Sequence, residues 1–338
     1  MSDLKRGLTN SSYLAAGTII ANVITFAGFI YVTNNLSQED YGTYITVGAF
    51  VGFFEIFLFN GIYKVLIREG AQSPEKMGKA IEEIITFRNL AMLITIALCL
   101  VVSFFMPYSS STKILIAVFS LNLAYSGTSG ILNTIYHANQ RMGVSSIIGI
   151  LTRFSTVSCT VIVVYLGYGV FEMLTSMLFT RFLALGATYY HSRTIVSFKF
   201  LSSLNLKSNL IKPAFVFSIG NFFGRFAIDI DLLMISILSN PISVAIYAIP
   251  YKLCRLGMIS RNLVATGFFP IAVANLNSDK KGKSADFIKN TLVLFVIALF
   301  FAYILSTLSE YIIGMLFVDA YKDSVKVMQI LIYYIAFS

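Results

Sequence analysis

Nine apolar stretches of bilayer-crossing length follow one another along the chain, at about 11–35, 42–64, 84–106, 114–137, 143–166, 170–190, 212–238, 242–270 and 286–308. A transmembrane helix needs roughly 20 apolar residues. In lipid, every backbone polar group of such a segment must be satisfied internally, which makes these stretches helices. A tenth stretch begins near Ser324 and reads as an unfinished helix at Ser338. Composition agrees: 12% of the 338 residues are charged and 57% are hydrophobic, whereas soluble domains carry about 25% charged residues. The expected class is an all-α integral membrane protein with about nine complete transmembrane helices and an unfinished tenth. The stretch after "MSDLKRGLTN" is too long for a signal-peptide core and reads as a retained first helix.

The net charge of +9 does not point to nucleic acid, because the basic residues fall in short clusters between apolar segments. Sixteen of them alternate onto one side: Lys5 and Arg6; Lys64, Arg68, Lys76, Lys79 and Arg88; Arg141; Arg193, Lys199, Lys207 and Lys212; Lys280, Lys281, Lys283 and Lys289. The other side has only Lys113, Lys322 and Lys326. The positive-inside rule places the sixteen, and the N-terminus, in the cytoplasm, so odd-numbered helices run outward. Cys99, Cys159 and Cys254 sit in apolar segments and are expected to stay unpaired.

Three domains are expected: an N-terminal six-helix lobe at 1–192, a cytoplasmic linker at 193–211 and an incomplete C-terminal lobe at 212–338. The linker alternates apolar and basic residues, which suits a segment on the membrane surface. A weak repeat supports two lobes. "ANVITF" (21–26) aligns with "GNFFGRF" (220–226), and "LSQEDYGTYI" (36–45) with "LSNPISVAIYA" (238–248). An even helix number per half gives parallel repeats, as in two-lobed transporters.

Ionisable residues interrupt the apolar stretches near their centres: Glu55, Arg153, Arg181, Arg225 with Asp229 and Asp231, and Lys252 with Arg255. Five basic groups at mid-depth would cost on the order of 12–18 kcal/mol facing lipid. They are therefore expected around a shared hydrated cavity. Internal pairing is the competing reading: Arg225 and Asp229 are spaced i,i+4, Asp231 could reach Lys252 or Arg255, and Glu55 could neutralise one more arginine. Three acids against five bases leave a positive surplus. Arg153, Arg181, Arg225, Lys252 and Arg255 are the candidate substrate ligands, since a guanidinium fork suits phosphate or carboxylate. Glu55, Asp229 and Asp231 are candidates for ion coupling or pairing.

"GAFVG" (48–52) and "GNFFG" (220–224) suggest close helix packing, and Pro250 a kink or hinge beside Lys252. His137 and His191 fall at helix ends, so neither a metal site nor a catalytic histidine is expected. No nucleotide-binding glycine loop occurs, and no cofactor is expected.

"LSQEDYGTY" (36–44), "DLLMISILSNPISVAIYAIPYKL" (231–253), "FFPIA" (268–272) and "LFVDAYKDSVKVMQIL" (316–331) resemble the polysaccharide flippases. These are the O-antigen repeat-unit type of the multidrug/oligosaccharidyl-lipid/polysaccharide exporter superfamily. Asp231, Tyr247 and Pro270 match that family's landmarks. The resemblance implies a two-lobe helical transporter, here with an incomplete second lobe. It would move an undecaprenyl-diphosphate-linked oligosaccharide across a bacterial inner membrane by alternating access. The implied partners are the lipid-linked oligosaccharide, membrane lipids, a glycan polymerase and chain-length proteins. An ion-coupled antiporter of the same superfamily would want an acidic cavity, and a glycan polymerase a large extracytoplasmic loop; the sequence offers neither. A non-transporting scaffold of a glycan assembly complex is the remaining alternative.

Overall fold

A computed structural model describes residues 3–199, 209–255 and 283–337. Within its helices, the side chains at 3–11, 225, 227–229, 283–291, 294, 297 and 335–337 lie outside the description. The described residues are helical throughout, with short connections. Two compact units divide at Pro241 and Ile242.

The first unit contains α1 (Asp3–Asn35), α2 (Gln38–Phe54), α3 (Ile62–Gly70), α4 (Pro74–Phe105), α5 (Ser110–Phe119), α6 (Leu121–Ala138), α7 (Met142–Tyr165), α8 (Val170–Ser192) and α9 (Ile211–Leu238). Six spans in it are long and apolar enough to cross a membrane, the α5–α6 pair counting as one. Their outward faces carry exposed large apolar side chains, such as Leu93, Ile94 and Val101 on α4 and Ile147, Leu151 and Phe154 on α7. Lipid, rather than water, satisfies such a surface.

The "LSQEDYGTY" motif is a helix start. Ser37 Oγ accepts from Asp40 N at 3.0 Å and donates to Asp40 Oδ2 at 2.7 Å, capping α2. Tyr41 is fully buried one residue later.

The second expected span, 42–64, is not one helix. After α2 the chain tightens into a 3-10 turn at Glu55–Leu58, and Phe59 adopts a left-handed backbone at φ 59°. Helix α3 then starts at Ile62. Loop 64–83, expected in the cytoplasm, is largely helix, because Ser73 caps α4 through Lys76 N and Pro74 pre-sets its first turn.

Arg88, grouped with the cytoplasmic loop residues from sequence, is instead an interior residue of α4 and only 1% exposed. Around the start of α4 lies an apolar core built from Ile62, Leu66, Met77, Ile81, Ile84, Ile131 and Ile135. Val196 and Phe198 insert into it. In 193–199 the apolar Val196 and Phe198 are buried and Ser197 and Lys199 exposed; Lys199 N donates to Glu82 Oε1 at 2.8 Å and pins this stretch down.

Helix α9, expected to open the C-terminal lobe, packs against α2 and α3 within the first unit. Phe53 meets Phe226, and Phe57 meets Phe222, both at 6.0 Å between ring centroids. Gly61 N donates to Ser218 Oγ at 3.0 Å. The glycines of "GAFVG" and "GNFFG" do not mediate this contact: Gly48, Gly52, Gly220 and Gly224 all face open space. The close approach occurs elsewhere. Gly17 lies against Ser146 and Gly28 against Val157. The same eleven-residue step on both helices makes α1 and α7 parallel neighbours.

The second unit comprises α10 (described over 241–255), α11 (Lys283–Thr307), α12 (Ser309–Leu316) and α13 (Ser324–Phe337). Helix α10 runs through Pro250 without interruption. Its Val244, Ala245, Ala248 and Ile249 are buried, and Ser324 Oγ donates to Ile246 O at 2.8 Å. Helix α12, not expected from sequence, bends 55° away from the end of α11.

Candidate functional site

A cavity of about 310 Å³ opens between α1, α6, α7 and α8 of the first unit. Its wall carries Thr18 and Asn22 from α1, Tyr125, Ser129 and Asn133 from α6, Ser145, Ser146, Thr152 and Arg153 from α7, and Thr188 from α8. Small residues make the space: Gly17, Ala21, Gly149 and Ala184 also line it. No described carboxylate does. Arg153 is exposed along its side chain and forms no hydrogen bond or ion pair with any described residue.

Arg181 is held differently. Its Nη1 donates to Asn122 Oδ1, and Asn122 Nδ2 donates to Glu55 Oε1 at 3.4 Å. The guanidinium also stacks on Phe119 and Tyr125, each 5.8 Å away. Asn122, at the centre of this Glu55–Asn122–Arg181 chain, is 7% exposed, and Glu55 and Arg181 are half-buried. It ties the end of α2, the start of α6 and the middle of α8 together. Arg181 and Arg153 lie close enough for their charges to act on each other, and on the Tyr44 hydroxyl. Tyr125 belongs to both arrangements, stacking on Arg181 and lining the cavity.

Of these sequence candidates Arg153 lines the cavity, whereas Glu55 and Arg181 are joined to each other through Asn122. Glu55 compensates Arg181 through an amide, and Arg153 keeps its donors for the cavity. The other candidates are placed as follows. Asp231 is half-buried on α9, its Oδ1 accepting from Leu232 N at 2.8 Å. The side chains of Arg225 and Asp229, on the same helix, lie outside the described residues. Lys252 and Arg255 belong to the second unit; Arg255 stacks over Tyr251 at 5.6 Å, and Tyr251 stacks on Tyr247 at 5.9 Å.

Sequence reasoning missed the polar neutral residues. Asn22, Asn133, Ser145 and Thr152 carry no charge to flag them, and a single serine or threonine in an apolar stretch is unremarkable until the cavity gathers several. Ser145 Oγ donates to Asn133 Oδ1 at 3.1 Å and lies 3.5 Å from His137 Nε2. His191 is stacked on Tyr136 and 3.1 Å from its hydroxyl. Both histidines are therefore engaged in helix packing. No group of three His, Cys, Asp or Glu among the described residues is arranged to hold a metal ion.

The described helices define an all-helical, multi-pass membrane protein. Residues 8–275 match the family described as Polysaccharide biosynthesis protein, and the chain belongs to that family. Two solved structures share the fold. One, described only as "protein A", is 13% identical, with a TM-score of 0.60 over 98% of this chain and 79% of that one. Another, a MATE protein in complex with MaD3S, is 14% identical, with a TM-score of 0.53 over the same shares. A third, a MOP superfamily transporter from Pyrococcus furiosus, is 13% identical over 97% of this chain and 84% of that one, with a TM-score of 0.46. Among curated proteins, none matches significantly.

Proposed function

We propose that this membrane transporter is a flippase for an anionic, lipid-linked oligosaccharide. It would move undecaprenyl-diphosphate-linked glycan repeat units, of the O-antigen or capsule kind, out of the inner leaflet of a bacterial cytoplasmic membrane. The observation that carries this reading is the chemistry of the cavity in the first unit. It has a guanidinium without a described partner, several hydroxyls and amides, and no described carboxylate. A cationic drug would meet Arg153 and no described acid. A sugar phosphate would meet a charge-assisted donor and walls that hydrogen-bond hydroxyls. The N-terminus is assigned to the cytoplasm from loop charge, and Arg225, Lys252 and Arg255 are further candidate ligands from their depth in the spans. A glycan polymerase and chain-length proteins are the partners such a flippase would feed.

The test is translocation by purified protein in liposomes carrying a fluorescent undecaprenyl-diphosphate disaccharide. The expected result is movement faster than in protein-free liposomes. Arg153→Ala should slow it about tenfold or more, the loss of a charge-assisted hydrogen bond of about 1.5–3 kcal/mol. Rates equal to protein-free liposomes, or an unaffected Arg153→Ala variant, would overturn the reading.

A further inference from the structure

Helix α9 is attached to the first unit at both ends and in the middle. At its inner end, Gly61 N donates to Ser218 Oγ, which spends its own proton on Ala214 O at 2.8 Å. Ala214 is fully buried in the apolar core around α3 and α4. The backbones touch there, because a Cβ on Gly61 would overlap Ala214 O. In the middle, Phe57 and Phe53 meet Phe222 and Phe226. At the outer end, Ser236 Oγ donates to Leu233 O at 2.7 Å, so the Tyr108 hydroxyl donates to Ser236 at 2.8 Å. Just beyond, Pro241 O rests on the α2 backbone, where a Cβ on Gly42 would overlap it. Gly42 and Pro241 belong to "LSQEDYGTYI" and "LSNPISVAIYA", the two turns that the sequence repeat pairs.

This seam crosses the broken second span. Helix α9 is continuous from Ile211 to Leu238, while the chain it covers passes from α2 through a 3-10 turn into α3. A left-handed backbone is uncommon for a residue with a side chain, and such strain persists only where the surroundings over-determine it. The Phe59 ring is held between Phe87 of α4 at 5.3 Å and Phe215 of α9 at 6.0 Å. Membrane helices have no hydrophobic drive to associate, so packing, close backbone approach and interhelical hydrogen bonds decide which of them stay together. All three occur here. A seam that opens by rocking is closed at one membrane face and parted at the other. This one is closed at Ser218 and at Ser236, about 27 Å apart along the helix.

We propose that α9 is a fixed part of the body formed by α2, α3 and α4, where it splints the broken span, and that the mobile joint lies where the chain leaves this body, at Pro241–Ile242. Proline has no N–H, and the first turn of a helix has few backbone hydrogen bonds to lose. The start of α10 therefore bends at little cost. The boundary between moving bodies falls one helix later than the internal repeat. This inference goes beyond the flippase reading and holds for any transported substrate.

The experiment is pulsed electron spin resonance on the full chain in nanodiscs, with Cys99, Cys159 and Cys254 replaced by alanine. Spin labels go on exposed positions: Val216 and Leu238 of α9, Tyr190 of α8, Phe105 of α4 and Ile330 of α13. Val216–Tyr190 and Leu238–Phe105 report within the first unit. Val216–Ile330 and Tyr190–Ile330 report between the units. Distances are read in ligand-free protein and with the lipid-linked disaccharide added. The two internal distances should stay single and move by less than one helical turn, about 5.4 Å. Both distances to Ile330 should broaden or shift together by more than that, and breadth in the ligand-free protein is sufficient. A larger shift of either internal pair, a fixed Val216–Ile330 beside a moving Tyr190–Ile330, or four narrow and unchanging distances overturns the proposal. Gly42→Val pushes Pro241 off α2. It should lengthen Leu238–Phe105 and leave Val216–Tyr190 as in wild type, because the inner end is held separately. Lengthening at both ends, or at neither, would also overturn it.

Discussion

The Arg88 guanidinium donates through Nη2 to the Tyr63 hydroxyl at 2.9 Å, inside the first unit and away from solvent. Tyr63 in turn donates to Gly127 O at 3.2 Å, so the pair braces α3 and α4 against α6. Gly127 is needed for this approach, because a Cβ there would lie 2.9 Å from Arg88 Nη2. Nε and Nη1 of Arg88 have no hydrogen-bond partner among the described residues. Tyr63 is thus the side chain that satisfies an interior charge next to the break between α2 and α3.

Tyr63→Phe removes that acceptor and should destabilise the protein by about 1–3 kcal/mol, the cost of stranding a buried polar group. Breaking one half of such an arrangement is worse than removing both. The double variant Tyr63→Phe with Arg88→Met should therefore melt higher than Tyr63→Phe alone. Thermal midpoints of the detergent-solubilised variants check this. A double variant melting below Tyr63→Phe would show that the Arg88 charge is needed for itself.

The Glu55–Asn122–Arg181 chain gives a second expectation. Asn122→Leu severs both hydrogen bonds at once while keeping similar bulk. The midpoint should fall by an amount corresponding to about 2–3 kcal/mol, the upper range for a buried hydrogen bond to a charged group. Arg181→Lys should retain the charge but lose the planar stacking on Phe119 and Tyr125. It should fall between wild type and Asn122→Leu. If Asn122→Leu melts with wild type, the chain contributes nothing to stability.

How far the sequence reveals these arrangements depends on the kind of signal. Span length and apolarity are local, so α7, α8 and the apolar span Ser12–Asn35 within α1 lie within a few residues of their expected limits at 143–166, 170–190 and 11–35. The break after Glu55 is hidden because "EIFLFNGIYKVL" is mostly apolar, and hydropathy does not register a left-handed Phe59. Arg88 was misplaced for a related reason: basic residues just inside a span read as loop charges, and only packing against Tyr63 and Gly127 reveals an interior one. The charges Glu55, Arg153 and Arg181 stood out by their cost in lipid. Asn122, which decides which arginine is compensated, costs little and did not. The glycines invert the expectation: spacing marked Gly48 and Gly52, while the helices meet at Gly17 and Gly28.

The open surroundings of Gly48 and Gly52 make a third expectation. Gly→Ala at either position fills empty space and reduces the freedom of the unfolded chain. Each should be neutral or raise the midpoint, within the roughly 1 kcal/mol by which alanine exceeds glycine in a helix. Gly28→Leu should behave oppositely, because Val157 occupies the space its side chain needs. Overpacking of that kind costs typically about 1–3 kcal/mol. Val157→Ala added to Gly28→Leu should recover part of the loss.

Parallel packing of α1 and α7 yields the last expectation, and it is a test of register. Gly17 approaches Ser146, and Gly28 approaches Val157. In a background with Cys99, Cys159 and Cys254 replaced by alanine, Gly17→Cys paired with Ser146→Cys should cross-link under mild oxidation. Gly28→Cys paired with Val157→Cys should do the same. The exchanged pair, Gly17→Cys with Val157→Cys, should not. Eleven residues along a helix span about 16 Å, far beyond the roughly 7 Å limit between Cα atoms for a disulfide. Cross-linking is read as a mobility shift after cleavage at a protease site inserted between Gln140 and Met142. Because both helices must run the same way, efficient bridging of the two matched pairs requires an odd number of crossings between them, as the three spans 38–58, 74–105 and 110–138 supply. Bridging of the exchanged pair at comparable yield would mean that the two helices are antiparallel or free to slide, and would remove the wall on which the Thr18 and Thr152 oxygens share one cavity.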